Sequence, residues 1–158
     1  MKYLSFCFVL LSTILFSSCG EKKINLNSIV SLGDDYEHVK MNLDSDSYYK
    51  ITQMSDTLIE VEGEPYFINT YWDSATLIFR DNKLHEIRLL RPFSQTSMTQ
   101  IEELKAFMRE NCGEGQSSYD PTIAIYGLQD ENKEAKGAIM VKTGSYTDHL
   151  FLHLQFKD

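Results

Sequence analysis

The chain has 158 residues, with 15 Lys and Arg against 23 Asp and Glu and a formal net charge of −8. That balance argues against nucleic acid or an anionic lipid surface as a partner, because both are held by clustered basic residues. Nine Tyr, nine Phe and one Trp argue against disorder, since such a chain has enough apolar surface to offset the entropy of folding.

In chain order, Lys2 gives a short positive start and Tyr3 to Phe16 is an almost unbroken apolar run. Fourteen residues at about 1.5 Å each cover roughly 21 Å, short of the ~30 Å hydrocarbon core of a bilayer. The run therefore reads as the hydrophobic region of a secretion signal over residues 1–18 rather than as a membrane span. Phe16-Ser17-Ser18-Cys19 resembles the lipobox of bacterial lipoprotein signals, with Phe16 where leucine is usual. The resemblance covers the signal only. It implies that the Cys19 sulfur receives a diacylglyceryl group, that the chain is cut before it, and that the new amine is acylated with a palmitate-type chain. One acyl chain anchors only marginally, at about 0.8 kcal/mol per buried methylene, whereas three hold a protein to a bilayer almost permanently. Gly20, in place of the Asp that retains similar proteins in the inner membrane, implies the outer membrane of the cell envelope. Read from the residues alone, an ordinary signal cut after Ser18 or Gly20 remains open.

Removal of residues 1–18 takes away Lys2 and no acid, which leaves 140 residues near −9, enough for one domain. Cys7 leaves with the signal and Cys19 becomes a thioether, so no second cysteine is left within the chain to form a disulfide with Cys112. It is expected as a small, half-buried hydrophobe at a helix end. Residues 19–28 read as the lipidated cysteine and a polar tether, and residues 29–158 as the folded domain.

Asp34 or Asp35 can cap a short helix over 35–43, with Tyr36, Val39 and Leu43 on one face. The segment 44–50 reads as a loop. Strands follow at Leu58–Glu62, Tyr66–Trp72, Thr76–Arg80 and Leu84–Leu90. Asp81-Asn82-Lys83 forms the clearest hairpin turn, because Asp and Asn tolerate left-handed backbone. Alternation sends Ile87 and Leu89 to the core, and Arg91-Pro92 ends the strand. A second helix starts at Ser97 or Thr99, where two capping boxes fit, and buries Ile101, Leu104, Phe107 and Met108 before stopping at Gly113. Strands at 122–126, 138–142 and 148–156 complete the chain. Helices separated by runs of strands predict an α+β fold: an antiparallel sheet with two helices packed on one face. The halves 29–90 and 97–157 fit a diverged α-β-β-β repeat, although no residue-level repeat is visible.

A short helix after Ser31-Leu32-Gly33-Asp34, followed by strands ending in the Phe79-Arg80-Asp81-Asn82-Lys83-Leu84 hairpin, resembles small outer-membrane lipoproteins of the SmpA/OmlA type. It is also similar to the β-lactamase-inhibitor-protein-like fold, which repeats that unit. These resemblances imply a helix pair on an antiparallel sheet and an activity of protein binding. The Leu-Gly-x-Pro that often ends the first helix in such proteins is absent after Leu43.

The chemistry-bearing residues are sparse. His149 and His153 alternate along a strand, which puts them about 13 Å apart and unable to share one metal ion. Glu60 and Glu62 fall on one exposed strand face, and Asp44-x-Asp46 lacks the later residues of a calcium loop. No serine-nucleophile motif, phosphate loop or dinucleotide fingerprint is present. Neither a metal site nor a cofactor is expected. The aromatic cluster Tyr66, Phe67, Tyr71 and Trp72 is the strongest candidate surface, with Tyr66, Tyr71 and Trp72 as candidate binding residues and half of the cluster expected in the core. The leading expectation is a non-enzymatic lipoprotein, anchored to the bilayer through acylated Cys19, whose acidic domain binds another envelope protein. A carbohydrate-binding module built on the exposed aromatics and a hydrolase with an unrecognised carboxylate pair are the alternatives.

Overall fold

A computed structural model describes residues 23–117, 123–126, 135–142 and 148–157. In chain order the elements are β1 (Ile24–Asn25), β2 (Ser31–Leu32), α1 (Tyr36–Ser45), β3 (Tyr49–Ser55), β4 (Leu58–Gly63), β5 (Tyr66–Phe67), β6 (Thr70–Tyr71), β7 (Ser74–Arg80) and β8 (Lys83–Pro92). A 3₁₀ turn at Phe93–Gln95 leads into α2 (Met98–Cys112), which is followed by β9 (Gly115–Ser117), β10 (Ile123–Tyr126), β11 (Ala135–Lys142) and β12 (His149–Phe156). The fold is mixed α+β and dominated by sheet. Among the described residues no helix is long and apolar enough to cross a membrane.

Eight strands form one antiparallel sheet in the order β3-β4-β7-β8-β12-β11-β10-β9. Each half of the chain lays down its four strands from an outer edge towards the centre, so the order reads alike from both edges. The seam is the β8–β12 pair, where Leu89 faces Leu152 and Ile87 faces Leu154. One row of side chains from β4, β7, β8, β11 and β12 points to the same core: Ile59, Val61, Leu77, Ile87, Leu89, Ile139, Leu150, Leu152 and Leu154 are all buried. Val39 and Leu43 of α1 and Leu104, Phe107 and Met108 of α2 join that cluster.

The helix starts follow from local chemistry. Ser97 caps α2 with both bonds of a capping box: Ser97 Oγ accepts from the Gln100 N–H at 3.2 Å, and Gln100 Oε1 accepts from the Ser97 N–H at 2.9 Å. Gly113 ends it at φ 94°, in the left-handed region that favours glycine. For α1, the expectation of a carboxylate cap fails. Asp35 sits at the N-cap without a side-chain cap bond, because its carboxylate pairs with Lys83 at 3.0 Å. The buried Asp34 carboxylate takes the Ser31 N–H at 2.7 Å and the Lys23 ammonium at 2.8 Å. The backbone around it docks on the β7–β8 hairpin: Gly33 N–H donates to Leu84 O, Leu84 N–H to Asp34 O, and Tyr36 N–H to Asn82 O. The Ser31–Asp34 stretch and the Asp81-Asn82 turn, separate signals in the sequence, thus hold one another.

Five expectations are corrected. The domain begins earlier than residue 29: Ile24 and Asn25 pair with Leu32 and Ser31, and Leu26 is fully buried, so residues 24–28 are not tether. The supposed loop 44–50 gives way to an edge strand from Tyr49. Tyr66–Trp72 is not one strand but the tight hairpin β5–β6, closed by Ile68 and Asn69 at φ 53° and 57°. Leu84 joins Ile87 in the core despite the odd spacing, because a β-bulge at His85 takes up one residue: Ile78 pairs with Glu86 and Phe79 with Leu84. Cys112, expected half-buried, is fully buried at the end of α2.

Candidate functional site

Three loops converge beside the outer end of β3. They are the β1–β2 connection, the α1–β3 connection and the β5–β6 hairpin. Together they line a groove of about 250 Å³ whose walls carry Tyr48, Tyr49, Tyr66 and Tyr71. Asn27, Ser28, Ile29 and Asp46 complete the lining.

The local sequence explains the shape. Asp46 follows α1 and folds the chain back through its own side chain, with Oδ1 accepting from the Tyr48 N–H at 2.9 Å. The Tyr49 N–H donates to Asp46 O, which sets Tyr48 outward and Tyr49 inward. Tyr49 stacks edge-on against buried Phe67 at 6.0 Å, and its hydroxyl donates to Tyr66 O at 3.1 Å. With that proton committed, the Ser28 hydroxyl, 3.0 Å away, is the donor to Tyr49. Across the hairpin Tyr66 is paired with Tyr71, their rings edge to face at 4.9 Å. The Ile68 N–H donates to Leu26 O at 2.6 Å and ties this hairpin to the β1–β2 connection.

The groove is electrically one-sided. Among the described residues its lining contains the half-buried Asp46 carboxylate and no basic side chain. Burial pushes the Tyr49 phenol above its ordinary value, and Asp46 and Tyr71 push in the same direction against the bond from Ser28. Tyr48 and Tyr71 present 64% and 54% of their surfaces to solvent, a high exposure for rings of this size.

Of the aromatics expected to bind, Tyr66 and Tyr71 come together and Trp72 does not join them. Trp72 is 1% exposed, its indole N–H donates to Phe67 O at 2.9 Å, and it forms the floor beneath the hairpin. A ligand cannot stack on it. Tyr48 and Tyr49 were missed because they follow a helix in a polar stretch, and their only sequence signal is the adjacent pair of tyrosines. Cys19 lies outside the described residues.

A second cluster lies on the opposite face of the sheet. Glu86 points away from the core yet is 5% exposed, between Arg88 Nε at 2.6 Å and His153 Nε2 at 2.9 Å. The His153 nitrogen is close to the carboxylate but off the hydrogen-bond line. His153 thus joins a pair that crosses the seam rather than meeting His149. Glu60 and Glu62 lie on the same side of β4, away from the core. Among the described residues no three His, Cys, Asp or Glu side chains converge as a metal ion requires. The chain matches no family model, no curated protein and no solved structure.

Proposed function

We propose that this protein is a bacterial lipoprotein, moored to the outer membrane through acylated Cys19, whose acidic domain binds another envelope protein without catalysing a reaction. The mooring rests on the sequence Lys2, Tyr3–Phe16 and Ser17-Ser18-Cys19. The observation that carries the binding reading is the tyrosine groove. Two exposed tyrosine rings are held there by structured loops, and tyrosine brings a large contact area at low entropic cost to protein interfaces. The mirrored strand order supports reading the halves as a diverged repeat of one helix and its following strands, with both helices on one face of the sheet.

The experiment is affinity capture from solubilised envelopes with the full-length lipidated chain as bait, beside a Tyr48→Ala/Tyr71→Ala double variant. A stoichiometric protein retained by the first bait and lost from the second is the expected result. Capture of none, or mass spectrometry showing an unmodified Cys19, sinks the reading.

The same groove favours a carbohydrate reading second, because exposed tyrosine faces beside Ser28 and Asn27 also suit a sugar ring.

A further inference from the structure

Proteins use tyrosine faces in two distinct ways. A sugar asks for a flat ring and several directed hydrogen bonds. A cation asks for electron-rich faces with a carboxylate near them and no competing positive charge. The groove is built for the second. Tyr48 and Tyr71 stand exposed on two of its loops, and Tyr66 lies edge to face with Tyr71. The hydroxyl of Tyr49 is already committed to Tyr66 O and to Ser28, so it is a poor partner for a sugar hydroxyl. Asp46 contributes the only formal charge among the described residues of the lining. Its Oδ1 is held by the Tyr48 N–H, and no described donor meets Oδ2.

The backbone supports a purpose for this geometry. Ile68 is β-branched and holds φ 53°, a left-handed conformation that costs about 1–2 kcal/mol for a residue with a Cβ. Strain of this kind persists where the surrounding structure over-determines it, and the turn it closes is the one that brings Tyr66 onto Tyr71.

We infer that the tyrosine groove is a receptor for one cationic side chain, the ammonium of a lysine or the guanidinium of an arginine, presented by the protein partner. This rests on the protein-binding reading above and names the chemistry of the partner at that site. The ring faces attract the charge and Asp46 neutralises it. The net charge of −8 steers basic segments towards the domain.

The test titrates the full-length chain in neutral detergent micelles with the tripeptide Gly-Lys-Gly, blocked at both ends, by calorimetry. Its norleucine counterpart and cellotetraose serve as neutral probes. Saturable binding of the lysine peptide alone is expected, weakened at least five-fold by Tyr48→Ala, Tyr71→Ala or Asp46→Asn and weakened by added salt. Tyr71→Phe keeps the ring face and retains binding within two-fold. Tyr48 and Tyr71 are exposed, so unchanged melting temperatures of these variants separate loss of binding from loss of fold.

Equal binding of the norleucine peptide overturns the inference, as does binding that the three weakening substitutions leave unchanged. Binding of cellotetraose lost in Tyr71→Phe also overturns it and points to a sugar. A captured envelope protein that still binds the Tyr48→Ala/Tyr71→Ala variant removes this inference while leaving a protein-binding role elsewhere on the domain. Lysine-peptide binding without any captured partner removes the role and leaves the site chemistry.

Discussion

At the scale of single residues, a few positions have no freedom. Gly137 on β11 faces α2 so closely that a Cβ there would lie 2.8 Å from the His153 carbonyl oxygen and 2.0 Å from Met108 Cε. The methionine tip can move, but the backbone oxygen of the neighbouring strand cannot. Gly137→Ala is therefore expected to destabilise the protein by about 1–3 kcal/mol, as overpacking does, read as a lower urea midpoint with an unchanged slope. Gly115 is tight in another way, with a Cβ position 2.5 Å from the ring edge of Tyr126, which lies across β10. Ile68 combines strain with burial. Losing a buried isoleucine side chain costs about 2–5 kcal/mol, more than the ~1–2 kcal/mol of left-handed strain that a glycine would relieve. Burial thus decides which residue the turn keeps.

At the scale of elements, bulges decide which face a residue meets. In β8 the extra residue His85 lets Leu84 and Ile87 share the core side, with Glu86 on the other. Deleting His85 restores plain alternation and leaves every later residue on its present face. Deleting Arg88 reverses the face of everything after it and sends Leu89 out of the core. The first deletion is expected to keep a cooperative thermal transition and the second to abolish it, as followed by circular dichroism. A second bulge, between Ile51 and Gln53, bends the edge strand β3, where exposed Lys50 also discourages pairing with another chain. These details explain what the sequence made legible. The α2 capping box, the Asp81-Asn82 turn and the alternation of β12 are local signals, and each matches the structure. The β5–β6 hairpin is not legible, because its turn uses Ile68-Asn69 instead of the glycine-bearing pairs that mark such turns. Read as one strand, Tyr66 and Tyr71 fall on opposite faces; folded as a hairpin, they touch. Tyr66 and Tyr71 were legible as candidates, but their contact was hidden for that reason. The rest was hidden because Tyr48 and Tyr49 are positioned by Asp46 and by contacts with residues distant in sequence.

At the scale of the whole molecule, the two halves share one sheet and one core, and stability is a common property. Burial pushes the Tyr49 and Tyr126 phenols above their ordinary 10.0. Near pH 10 the unfolded chain releases these protons and the folded chain keeps them. Their contribution to stability is therefore full below pH 10 and is lost as pH rises through the folded values, by at most about 1.4 kcal/mol per pH unit for each phenol. Replacement of Tyr126, which is 3% exposed, by Phe is expected to flatten this alkaline decline in urea titrations between pH 9 and 11. Unchanged alkaline sensitivity would assign the decline to other groups. The early start of the folded domain has a geometric consequence. Asn27 lines the groove and follows Cys19 by eight residues, which span at most about 28 Å even when drawn straight. If Cys19 carries the acyl chains proposed above, the domain would be leashed like a buoy on a short line. Its tyrosines would then search only a thin layer above the lipid, and any protein they met would have to be gliding along, or projecting from, that same surface.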